Sequence, residues 1–112
     1  MGKLESYKLL YDIKADSNGY SDTIMGAEPD HCYLCGNTDA ENLVRHELFR
    51  GADRKKSKLF GLWIAVCPHC HDMAHKRDTE EEFHKVGQVA FNRRWKEELQ
   101  QDFVEVFGRN YL

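Results

Sequence analysis

Two periods of apolar residues divide the chain. From Thr79 onward, Phe83, Val86, Ala90, Phe91, Trp95 and Leu99 recur three or four residues apart, with one adjacent pair, as the buried stripe of a helix would. Thr79-Glu-Glu-Glu82 in front of that run has the form of a capping box, which predicts a helix start there. A further turn over 102–107 should stop at Gly108. Upstream the pattern changes. Leu62-Trp63-Ile64-Ala65-Val66 is rich in β-branched and aromatic residues and predicts a strand, with Asn42-Leu43-Val44-Arg45-His46 as a short strand candidate beside it. The polar stretch Arg50 to Lys58 between them, with Gly51, reads as a loop, and a helix should begin near Pro68 to Cys70. Near the N-terminus, Leu4, Tyr7, Leu10 and Tyr11 suit a short amphipathic helix ended by the turn Asp16-Ser-Asn-Gly19. The tract from there to Pro29-Asp30 reads as a loop or extended arm.

This order predicts one α+β domain: an arm or short helix over residues 1–30, a core of two strands and a helix over 31–78, and a helical extension over 79–112. A chain of 112 residues buries only a modest core, so a bound metal would be a natural supplement. Its 41% hydrophobic and 31% charged residues exclude a disordered or fibrous chain. No apolar run approaches the roughly 20 residues of a membrane span, and Met1-Gly-Lys-Leu-Glu lacks the apolar core of a secretory signal. A cytoplasmic setting is therefore expected, and no membrane partner.

In a reducing compartment, four cysteines in two Cys-x-x-Cys pairs favour metal over disulfides. Cys32 and Cys35 form one pair, Cys67 and Cys70 the other. The intervening chain can fold back on itself as two strands and return both pairs to one tetrahedral ion. Four thiolates leave no open coordination position, so this zinc would be structural.

Cys70 is followed directly by His71 and then by His75, an i, i+4 pair that a helix puts on one face within reach of one ion. His46, at the end of the first strand, can be carried across to join them. His31, His69 and His84 have no such partners and read as surface residues. The net charge of −3 gives no general signal for nucleic acid. From Arg45 to Lys58, however, Arg45, Arg50, Arg54, Lys55, Lys56 and Lys58 face only Glu47 and Asp53, which makes a basic stretch beside the histidines.

Arg45-His46-Glu47-Leu48-Phe49, together with Cys67-Pro-His-Cys70-His71 and His75, resembles the HNH endonucleases, the ββα-metal or treble-clef-like nucleases. The likeness covers about residues 30 to 112 and is closest to short phage-type members with a four-cysteine zinc site, which share an ending similar to Phe107-Gly-Arg-Asn-Tyr-Leu112. It implies a DNA endonuclease leaving a 5' phosphate, in a bacterial host cytoplasm if phage-encoded. His46, His71 and His75 would hold a second divalent metal, Mg, Mn, Ni or Zn. Glu47 stands where the family has its general-base histidine, and the asparagine that orients that base would fall near Gly61-Leu62, where neither residue can serve. Three roles are open to Glu47: general base, fourth metal ligand, or a surface ion pair with Arg45. The competing readings are an inactive zinc-stabilised DNA-binding module, or an interaction protein docking on a phage or host partner through its N-terminal arm.

Overall fold

The computed structural model describes residues 2–26, 30–36, 43–96 and 103–112. Helix α1 (Lys3–Tyr11) is followed by an irregular segment. Strand β1 (Val44–Glu47), a 3₁₀ turn (Gly51–Asp53), helix α2 (Arg54–Leu59) and strand β2 (Trp63–Val66) come next, then α3 (Pro68–Ala74) and α4 (Arg77–Phe91). Helix α4 runs into a π-helical turn (Asn92–Lys96), and α5 (Phe103–Phe107) closes the order. Of the expected positions, Pro29, Asn42, Leu99 and residue 102 lie outside the described residues. Among the described residues no helix is long and apolar enough to cross a membrane.

The two strands pair antiparallel as the apolar pattern predicts, with His46 opposite Ile64 and Glu47 opposite Trp63. Their connection differs from expectation. The expected loop is instead the 3₁₀ turn Gly51–Asp53 followed by α2, because the Lys, Arg and Leu of Arg54–Leu59 favour helix and a buried serine anchors it. Ser57 Oγ donates to the Leu62 carbonyl at 2.6 Å and accepts the Phe49 amide at 3.2 Å, tying α2 to the ends of both strands.

Phe49, Phe60, Phe91 and Phe103 are fully buried at the centre of the core. Tyr11 and Trp95 meet Phe60 edge-on, with ring centroids 5.1 and 5.7 Å away. Helix α1 buries Tyr11, half-buries Tyr7 and leaves Leu10 57% exposed, so the expected stripe holds only in part. The same is true of α4, where Phe83 and Phe91 are buried but Val86 is exposed. That helix starts at Arg77, two residues before Thr79, so Thr79 sits inside the first turn and no side chain caps it.

The N-terminal segment is no free arm. Ser21 N bonds to Lys58 O at 3.1 Å and Ile24 N to Gly61 O at 2.9 Å, while Thr23 Oγ1 and the Trp63 indole bond across to β2 and back. Gly61, at φ +75°, lies so close beneath this segment that a Cβ would strike the Asp22 carbonyl oxygen. Gly61→Ala is therefore expected to remove about 2 kcal/mol or more of stability, read as a lower urea midpoint. An unchanged midpoint would contradict this packing.

Candidate metal centres

Both cysteine pairs sit at turns that aim their sulfurs inward. Cys32 to Gly36 closes on itself through Gly36 N to Cys32 O at 2.8 Å, with Gly36 at φ +77°. Tyr33 N bonds to Ala65 O at 2.8 Å, which holds this turn against β2. On the other side, β2 ends at Val66, Cys67 precedes the helix, and Pro68 opens α3 where a missing N–H does no harm. The four sulfurs lie within 4.8 Å of one another, and Cys35 and Cys67 are 3.8 Å apart. Tetrahedral sulfurs at 2.3 Å from one ion would be about 3.8 Å apart, the separation seen for Cys35 and Cys67, so the set could hold a zinc ion. Burial raises the Cys32 thiol, but amides from Cys35, Cys67 and Leu34 outweigh it and bring it down to about 6. Burial and the neighbouring sulfurs push Cys70 up to about 12.

A second cluster adjoins the first. His46 on β1, His71 in α3 and His75 just past its end each offer a nitrogen within 4.8 Å of the others. The Nε2 atoms of His71 and His75 are 3.1 Å apart, close to the roughly 3 Å between two nitrogens sharing one ion at about 2.0–2.1 Å. His46 is buried, His71 half-buried and His75 exposed, so the cluster opens to solvent on one side. Burial, then the two neighbouring imidazoles, lowers His46 to about 4, leaving it neutral and able to donate a lone pair at neutral pH. Arg50 complicates the picture. Its guanidinium lies 2.7 Å from His75 Nδ1 and also bonds to Glu80 at 3.0 Å. Guanidinium only donates, so His75 Nδ1 accepts here, and its proton resides on Nε2. Ligation through Nε2 requires that proton to move and Arg50 to let go.

Glu47 follows His46 on a strand, so the two side chains leave by opposite faces. Its carboxylate is not one of the donors in the histidine cluster and is engaged elsewhere, by Tyr20 and Arg54. Nor is it a surface partner of Arg45. Glu47 is 7% exposed, and its Oε1 accepts from Tyr20 Oη and Arg54 Nε, both at 2.8 Å. Burial raises this carboxyl, but those two bonds outweigh it and hold the group below its usual range. Arg45 pairs instead with Asp16 at 3.0 Å and lies 4.3 Å from the Tyr20 ring centroid.

The remaining basic residues divide by engagement. Lys56 donates to Val106 O at 2.8 Å, and Lys58 to Asn18 O at 3.3 Å, whereas Lys55 and Arg54 are largely exposed. His31 and His69 are exposed as expected. His84 is not a plain surface residue: it is half-buried and stacked on Phe49 at 11°. Tyr20 and Asp16 are the contributors that sequence reasoning missed, although the Asp16 turn itself is as predicted, with its carboxylate accepting the amides of Asn18 and Tyr20 at 2.9 Å. Comparison with known protein families, curated proteins and solved structures finds no match to this chain.

Proposed function

We propose that the chain is a metal-dependent DNA endonuclease of the HNH, ββα-metal type, with zinc in the cysteine site and a second divalent ion between His46, His71 and His75. The observation that carries this reading is the convergence of three imidazoles, from β1 and the end of α3, beside a four-sulfur cluster. When bound, the second ion would stabilise negative charge on a phosphate oxygen and on the leaving 3' oxygen.

The protein's own part is geometric. In-line displacement at phosphorus needs the attacking water and the leaving oxygen on opposite sides. Consecutive strand residues leave by opposite faces, so His46 and Glu47 would stand on opposite sides of a phosphate lying across the end of β1. Glu47 takes the water's proton, and Tyr20 and Arg54 fix its carboxylate where the family would use an asparagine to fix an imidazole. The same two bonds make Glu47 a weaker base, so turnover should be slow. Arg54, largely exposed, keeps its Nε on Glu47 while the same guanidinium can meet the incoming phosphate, and Arg45, Arg50, Lys55, Lys56 and Lys58 would hold the neighbouring phosphates.

Purified protein incubated with supercoiled plasmid and Mg, Mn or Ni tests the reading. Nicking is expected with metal, and Glu47→Gln, which cannot accept a proton, should lower the rate by about 100-fold or more. Undiminished nicking by that variant removes Glu47 from the base role. A non-catalytic DNA-binding module is the second reading, favoured by the occlusion and lowered basicity of Glu47. Salt-dependent DNA binding without nicking under any metal would establish it.

A further inference from the structure

Away from the imidazoles, α1, the Asp16 turn and α2 enclose a cleft of about 270 Å³. Lys8, Lys55 and Lys58 line it beside Ser17 and Asn18, and among the described residues no carboxylate does. In a chain of net charge −3, this is a local concentration of cations. Among the described residues the only carboxylate paired with any of the three is Glu5, exposed on α1 and outside the lining, 3.2 Å from Lys8 Nζ. Like charges gathered in a concavity repel, and the apolar floor of Leu4 and Leu59 weakens solvent screening, so an entering anion is attracted by all three. Ammonium groups act as point charges rather than as a bidentate fork, which suits a phosphate and carries no base preference.

The cleft is continuous with the Glu47 cluster. Lys58 Nζ lies 4.7 Å from the ring centroid of Tyr20, whose hydroxyl bonds to Glu47. Lys58 is also one helical turn, about 6 Å, beyond Arg54 on α2. We infer that this cleft is a phosphate-binding site gripping the nucleic-acid backbone beyond the position of cleavage. The identity of the strand as nucleic acid rests on the nuclease reading; the affinity for phosphate does not.

Two measurements on zinc-loaded protein, with the second metal withheld so that nothing is cleaved, test the inference. Inorganic pyrophosphate should shift the amide resonances of Asn18 and Gly19 in the wild type and not in the Lys8→Gln/Lys55→Gln/Lys58→Gln variant. For labelled duplex DNA, the slope of log K against log salt should fall by about 2 to 3 in that variant, with affinity down about tenfold or more. Lys85→Gln on α4 should change neither. The double variant Lys8→Gln/Lys55→Gln, which spares the Lys58 contacts, should show the same trend at about two-thirds of the size. Pyrophosphate shifts with an unchanged DNA slope would overturn the backbone assignment in favour of a free phosphate anion. Absence of both effects would overturn the site itself. If both effects are seen but no metal supports nicking, the nuclease reading falls and the site stands.

Discussion

Stripping the metal from the cysteine cluster is expected to unfold the protein. Cys32 and Cys35 belong to a turn held to β2 by the Tyr33 to Ala65 bond, and Cys67 and Cys70 frame the start of α3. Without an ion, four sulfurs packed within 4.8 Å have nothing to join them. Apparent binding energies of structural zinc, about 10–16 kcal/mol, are as large as the whole stability of a small domain. Excess chelator should therefore collapse the amide dispersion of the NMR spectrum, and zinc should restore it. Cys70→Ser, with three sulfurs left, should give the same collapse at physiological temperature without chelator. Native dispersion in metal-free protein would show that the aromatic core alone suffices.

Loss of His75 is expected to have the opposite profile: an intact fold without activity. His75 is exposed and lies past the end of α3, so His75→Ala should leave the zinc and the unfolding midpoint almost unchanged. The second divalent ion should bind at least about 100-fold more weakly, since even outer-sphere partners of a metal contribute on that scale. Plasmid nicking should fall by about 1,000-fold or more, because both the positioning of the phosphate and the charge stabilisation are lost. His46→Ala should do the same, though His46 is 3% exposed and its removal also opens a cavity. Undiminished nicking by His75→Ala would sever activity from the histidine cluster.

The parts of this arrangement that were legible in the sequence are those encoded locally. Cys-x-x-Cys spacing, the His71/His75 interval and the β-branched run into Cys67 each depend on neighbours within one turn or one strand: the four sulfurs are gathered, the two imidazoles are close although His75 lies just past α3, and the run forms β2. The Arg50 to Lys58 segment was misread because Gly51 and a run of charges resemble a loop. What makes it helical is Ser57, whose buried hydroxyl finds its partners only once the strands pair. The surroundings of Glu47 were not legible at all. Tyr20 reaches it across 27 residues, from an irregular segment whose next residues are held by bonds to Lys58, Gly61 and Trp63. The tail ending in Tyr111 and Leu112 carried no visible role either. It is anchored by buried Gln88, which donates to Asn110 and accepts the Tyr111 amide at 2.7 Å.

Metal content combined with X-ray absorption on protein loaded with zinc and then nickel tests the two-centre account most directly. Two ions per chain are expected: zinc with four sulfurs at about 2.3 Å, and nickel with three imidazole nitrogens near 2.0–2.1 Å that fall to two in His75→Ala. One ion per chain, bound by sulfur alone however much nickel is offered, would contradict it.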